Sequence, residues 1–168
     1  MAELSNHFVT EQLQAHFGAD IYSCEEPYGM LTVTLNASRL LDVLNWLFQH
    51  GDIQAKFLTD ICGSHYPSNK DGELCAVYHV QSMTKNFRIR LKCFVPVANP
   101  EIPSATPLYA GANWMERETF DFYGIIFTGH PNLKRILNVD EMDYFPMRKE
   151  FPLEDGTRTD KEDEYFGR

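Results

Sequence analysis

"NFRIRLKCFV", residues 86–95, alternates without a break. Phe87, Ile89, Leu91, Cys93 and Val95 fall on one side of an extended chain, and Arg88, Arg90 and Lys92 on the other. A period of two identifies a strand with one face on a core and the other wet or partner-facing. "ELCAVYHVQSM", residues 73–83, precedes it and completes a hairpin. Upstream, "GMLTVTLN" (29–36) and "AKFLTDICG" (55–63) supply two more strands, and "GSHYPSNKDGE" (63–73) reads as a turn-rich loop.

Two helices interleave with these strands. "SNHFVTEQLQAHFG" (5–18) aligns Val9, Leu13 and Phe17, with Ser5 as cap and Gly18 as stop. "ASRLLDVLNWLFQH" (37–50) aligns Leu40, Leu44, Leu47 and Phe48 behind an Asn36 cap, with Gly51 as stop. These elements predict an α+β fold, with helices packed on one side of a mainly antiparallel sheet, followed by an extended C-terminal arm. The expected organisation is an α/β body over 1–95, a proline-rich crossing over 96–113, a helix-turn docking segment over 114–137 and a partner-binding arm over 138–168. The crossing contains four prolines and no periodicity, so it reads as extended chain rather than an element.

The chain has 168 residues, enough for one self-sufficient core, and a formal charge of −9. Thirteen of its 24 acidic residues lie in 111–168. Such an excess disfavours nonspecific binding to nucleic acid or anionic lipid, where cations must supply the contacts. Cys24, Cys62, Cys75 and Cys93 form no CxxC pair, and the expectation is reduced thiols packed as small hydrophobes. The first 20 residues lack a basic region followed by an apolar one, and no stretch is apolar enough for a membrane span.

The densest cluster of reactive groups is "WMERETFDFYGIIFTGHPNLKRI", residues 114–136. Asn113 and Glu116 have the spacing of a capping box, and Gly124 suits a left-handed helix exit. Trp114, Glu118 and Phe122 share a face at spacings of four. A carboxylate buried between those rings would need a cation, and Arg135, Arg148 and Lys149 are the candidates. Arg117 and Asp121 are placed for an i,i+4 pair. Gly129, His130 and Pro131 form a turn, followed by a helical turn aligning Leu133, Ile136 and Leu137, with Lys134 and Arg135 on its outer side. Two other functions use the same chain. Glu118 and His130 would serve as an acid–base pair, or His65, His79 and His130 as metal ligands, although no HExxH, GxSxG or GxGxxG motif accompanies them. Arg88, Arg90 and Lys92 would serve a single-strand RNA platform, but Phe87 falls on the opposite face and only Phe94 shares theirs.

The ordered set Glu116-Arg117-Glu118, Asp121, Gly124-Ile125, Gly129-His130-Pro131, Leu133 to Leu137 and "PMRKE" at 146–150 resembles a known family. It is similar to the C-type subunit of the proton-pumping NADH–quinone oxidoreductase, the 30 kDa subunit family of respiratory complex I. The resemblance spans about 30–153; Met147 stands where leucine is usual, and Glu150 where aspartate is common. It implies a cofactor-free structural subunit, with NADH, FMN, iron–sulphur clusters and quinone held by other subunits. The implied partners are the large quinone-site subunit (D type) and neighbouring iron–sulphur subunits of B and I type, on the cytoplasmic side of the bacterial inner membrane. The implied interface residues are Trp114, Glu116, Arg117, Glu118, Asp121, Phe122, Gly124, Gly129, His130, Pro131, Lys134, Arg135, Pro146, Arg148 and Lys149. No catalytic, cofactor-binding or metal residue is implied.

Overall fold

The computed structural model describes residues 4–151. The acidic end of the expected arm, 152–168, lies outside them. Helix α1 (Asn6–Phe17) starts where the Ser5 hydroxyl accepts from the Phe8 amide at 3.2 Å and ends at Gly18, whose φ is 49°. Strands β1 (Ile21–Glu25) and β2 (Leu31–Leu35) follow as an antiparallel pair. The Asn36 side chain then caps a 3-10 turn that leads into α2 (Leu40–Gln49). That helix stops at His50, whose amide reaches the Trp46 carbonyl, one residue before the expected Gly51.

Strands β3 (Phe57–His65), β4 (Leu74–Ser82) and β5 (Phe87–Val95) complete a sheet of order β1-β2-β5-β4-β3. All pairings are antiparallel except β2 with β5. The register carries the core across the strands: Val33 sits opposite Leu91, which sits opposite Tyr78, which sits opposite Ile61. All four are buried against Val9, Leu13, Leu40, Leu44 and Leu47 from the helices. A layer of helices thus covers one face of the sheet, the face that the alternation of β5 marks.

Three details differ from expectation. Strand β1 adds an edge that the sequence does not announce, because "IYSCE" is short and only half-buried. Strand β3 runs two residues further than the sequence suggests and brings His65 into the interior. Within the proline-rich crossing, β6 (Glu101–Pro103) pairs in parallel with β7 (Ile126–Thr128), and Ile102 and Phe127 join the same core. Three-residue strands are too short to show a period. Of the thiols, Cys75 and Cys93 are buried as expected, but Cys62 is exposed.

Helix α3 (Ala112–Tyr123) lies on the helical side against β3, and Gly63 admits it. A β-carbon on Gly63 would run into the Tyr123 ring. Overpacking of this kind costs about 1–3 kcal/mol. Gly63→Ala is therefore expected to lower the urea midpoint of the chain; an unchanged midpoint would mean that α3 is not seated on β3.

Candidate functional site

The two carboxylates of α3 that face inward are held in different ways. Glu116 is fully buried and accepts from the Ser104 hydroxyl and the Ala105 amide, both at 2.6 Å. The expected capping box does not form: the helix begins at Ala112, so Asn113 already lies in its first turn, and Gly111 precedes it without a side-chain cap. Glu116 instead ties α3 to the crossing chain. Both donors are neutral, and burial pushes its carboxyl up to about 7 against the lowering effect of the Ser104 and Ala105 hydrogen bonds.

Asp121 is equally buried but has a cation. Arg135 donates to its Oδ1 at 2.7 Å, the amides of Ile136, Leu137 and Asn138 converge on Oδ2 at 3.1, 2.8 and 2.9 Å, and the Asn138 side chain adds a bond of 3.0 Å. Burial alone would raise this carboxyl; the Asn138 and Leu137 amides and the Arg135 guanidinium outweigh it and hold it well below the usual carboxylate range. Three expectations fail here. Arg117 does not pair with Asp121 but donates to the Lys134 and Arg135 carbonyls at 3.1 and 2.9 Å. Residues 133–137 form no helical turn, because three successive amides turn toward one carboxylate instead. Lys134 keeps an exposed side chain, as expected, whereas Arg135, expected beside it on the outer side, turns inward to the buried Asp121.

Beyond Asp121 the arm folds back on α3. Arg135 also donates to the Met142 and Tyr144 carbonyls at 2.7 and 2.9 Å. Arg148 donates to the Tyr123 carbonyl at 2.8 Å, and both guanidinium groups lie near the Phe145 ring, at 5.2 and 4.7 Å from its centroid. Gly124, at φ 75°, ends the helix under this stack; a β-carbon there would meet Phe145 and Arg148. The Met147 amide reaches the Phe122 carbonyl at 3.2 Å, and the Lys149 amide donates to His65 Nδ1 at 3.0 Å. Pro146 is half-buried between them. The sequence predicts an arm that gains its order from a partner, yet as far as Phe151 it is fastened to its own chain.

The remaining expected residues split into a turn and an outer face. Gly129 takes φ 83°, Pro131 is exposed, and His130 uses both ring nitrogens: Nδ1 accepts from the Asn132 amide at 3.0 Å, which leaves Nε2 to donate to the Asn113 carbonyl at 3.0 Å. Glu118 is exposed, so the cation expected to neutralise it is not needed, and Arg135 and Arg148 are occupied elsewhere. Neither the Glu118–His130 pair nor a histidine triad assembles, since His65 serves Lys149 and His79 serves Arg90. Trp114 is 70% exposed beside Glu118 and Phe122. Sequence reasoning misses Ser104, Asn138, Phe145 and the structural role of His65; Ser104, Asn138 and His65 meet partners 12 to 84 residues away, beyond any local pattern.

Comparison with known proteins fits this geometry. Residues 33–157 match the family described as "Respiratory-chain NADH dehydrogenase, 30 Kd subunit". The chain belongs to that family. It is 42% identical over 155 residues to the first C-type subunit of the NADH-quinone oxidoreductase of Rhizobium meliloti, covering 91% of this chain and 75% of that one. Among solved structures, the trypsin-resistant fragment (1-134) of Nqo5 superposes with a TM-score of 0.64 at 29% identity, over 76% of this chain and 98% of the fragment. The membrane-bound sulfane sulfur reductase, an archaeal respiratory membrane complex, shares the fold, with a TM-score of 0.71 at 20% identity over 88% of this chain and 85% of that chain. Within this family member, Glu116, Arg117, Asp121, His130, Arg135 and Arg148 of the motif set hold α3, the turn and the arm together, while Trp114, Glu118, Pro131, Lys134, Leu137 and Met147 stay exposed.

The two buried carboxylates give opposite pH dependences. From the ordinary 4.5 of Glu116 to its raised value of about 7, the folded chain binds the proton more tightly than the unfolded chain, so stability falls as pH rises through that window. Glu116→Gln, which keeps an acceptor for Ala105 and a donor for Ser104, is expected to remove this decline in melts at mildly acidic and mildly alkaline pH. Asp121 contributes fully above the ordinary carboxylate range, and its contribution is lost in acid as pH falls toward its depressed value. Asp121→Ala leaves Arg135 buried without its carboxylate and should cost about 3–5 kcal/mol. Hydrogen exchange of residues 136–148 should accelerate with it; unchanged protection there would refute the role given to Asp121.

Proposed function

We propose that this chain is a structural, cofactor-free subunit of an NADH–quinone oxidoreductase, and that it docks through the outer face of α3 and the arm beside it. It is a non-catalytic member of a hetero-oligomeric complex I assembly, peripheral to the membrane; among the described residues no helix is long and apolar enough to cross one. The complex transfers electrons from NADH through FMN and iron–sulphur clusters to quinone and couples this to proton translocation, and this chain supports that work by shape. In this proposal the large quinone-site subunit (D type) covers the α3 face, the iron–sulphur subunits of B and I type lie nearby, and the assembly sits on the cytoplasmic side of the inner membrane.

The observation that carries the proposal is the surface left over once the internal bonds are made. Trp114 is 70% exposed, Leu137 65% and Val139 62%, and Tyr144 and Met147 are exposed as well. Apolar area of this kind, bordered by the Glu118 carboxylate, is characteristic of an interface whose aromatic anchors fill pockets on a partner. Glu118 supplies register: a charge covered by a partner must meet a donor there or the contact is penalised. In this proposal the docking segment and the arm as far as Phe151 form one surface, with the exposed Lys134 and Lys149 at its polar margin.

Trp114→Ala and Glu118→Ala change exposed side chains, so each should alter the stability of the isolated chain by about 0.5 kcal/mol or less. In the cell, assembled complex and NADH–quinone activity should fall together, with the tryptophan change costing about 2 kcal/mol of binding or more. Co-purification through a tag on this chain, with turnover measured per assembled complex, checks it. Full assembly with abolished turnover would overturn the proposal in favour of a catalytic Glu118.

A further inference from the structure

The face of the sheet turned away from the three helices carries a line of positive charge. Register sets Thr32, Arg90, His79 and Asp60 side by side across β2, β5, β4 and β3. Arg88 and Lys92 stand two residues to either side of Arg90, so three cations follow one another along the middle of the sheet at about 7 Å intervals.

Sequence alone leaves the basic face either solvated or paired with acids. None of the three cations makes an ion pair with a carboxylate among the described residues. Arg88 donates to the neutral Gln81 side chain at 3.2 Å, and Arg90 donates to His79 Nε2 at 2.8 Å. Asp60 approaches the histidine rather than the arginine, at 3.7 Å from Nδ1. The His79 acceptor thus fixes the Arg90 guanidinium without neutralising it. Beyond Lys92 the charge gives way to the half-buried Phe94 ring, 5.7 Å from Tyr66. In a chain of net charge −9, three successive unneutralised cations in one strand form a local field opposite to that of the molecule.

We propose that this face receives an acidic, extended segment of a neighbouring subunit, lying along β5 with carboxylates at alternate positions. Side chains on one face of an extended chain repeat at about 7 Å, the interval at which Arg88, Arg90 and Lys92 are presented, so three carboxylates meet three cations in register. The overall negative charge selects a short acidic segment over nucleic acid, whose long phosphate track would be repelled outside this strip. Such a contact needs the chain's membership of a complex but not the anchors of the α3 docking face, which α3 carries beside the β3 edge while the cations lie along β5 in the middle of the sheet. Together the two surfaces place this subunit between two neighbours.

The test compares Lys92 in the isolated chain and in native complex purified through a tag on this chain. An amine-acetylating reagent should modify Lys92 in the free chain and do so at least about tenfold more slowly in the complex. A zero-length carbodiimide should join Lys92 Nζ to an aspartate or glutamate of another subunit, identified by mass spectrometry of the linked peptides. Arg88→Glu with Lys92→Glu should reduce recovery of that neighbour several-fold, whereas Arg88→Lys with Lys92→Arg should not. Equal acetylation in both states overturns the proposal, and so does protection without a carboxylate cross-link, or protection that nuclease or lipid extraction removes. Trp114→Ala keeps the two surfaces distinguishable: it should loosen the α3 contact and leave the Lys92 cross-link to its own neighbour in place.

Discussion

The Asp121 carboxylate gathers three consecutive backbone amides, one side-chain amide and one guanidinium. The chain from Arg135 to Tyr144 is placed relative to it. Its helix is fixed on β3, so the carboxylate is a fixed point, and the chain from Ile136 to Asn138 must wrap round that point. Arg135, held by the same carboxylate, then commits its Nη2 to Met142 and Tyr144, which returns the arm towards α3. A cluster of amides around an anion favours the ionised form strongly, and the burial that would normally penalise a charge makes each of these bonds stronger. The outer surface of Trp114, Leu137 and Tyr144 is therefore presented by a backbone already in position.

Glu116, one helical turn earlier, shows what the same burial does without a cation. Its two donors satisfy its oxygens geometrically but leave its charge uncompensated, so it binds a proton more readily than a free glutamate. Its value to the fold is positional. It is the link between α3 and the crossing at Ser104 and Ala105, and the same crossing carries Ile102 into the core and pairs with β7. A glutamine would keep both links, accepting from Ala105 and donating to Ser104 in place of accepting from it; the acid adds a sensitivity to pH that the link itself does not require.

Legibility in the sequence tracks the distance between partners along the chain. The β5 alternation and the α2 stripe state which side is buried, because strand and helix periods are local and burial alone decides them. The same is true of the Ser5 and Asn36 caps. Local geometry misleads in α3: Asn113 and Glu116 have capping spacing, and Arg117 and Asp121 have pairing spacing, but each carboxylate finds stronger partners from elsewhere. An i,i+4 pair on a helix surface offers a few tenths of a kcal/mol. Asp121 in the interior instead obtains five hydrogen-bond donors, and that difference decides it. His65 and Lys149 lie 84 residues apart, and only the return of the arm brings them together. The motif residues stand out as a group, since their ordered pattern carries the family; their individual partners do not.

A subunit without chemistry of its own contributes by being the same shape every time it is assembled. Ordering a flexible arm at the moment of binding subtracts from affinity, whereas an arm already fastened subtracts little. Here the fastening uses charge: Arg135 and Arg148 lie against Phe145, and both anchor to carbonyls of α3. Guanidinium groups suit this task because their planar donors reach several carbonyls at once while their faces pack on a ring. A purely apolar clasp would hold as tightly but would tolerate sliding, since hydrophobic contact has no direction. Directional bonds from two arginines permit one register of arm on helix, and so one outline for the surface that a partner must match.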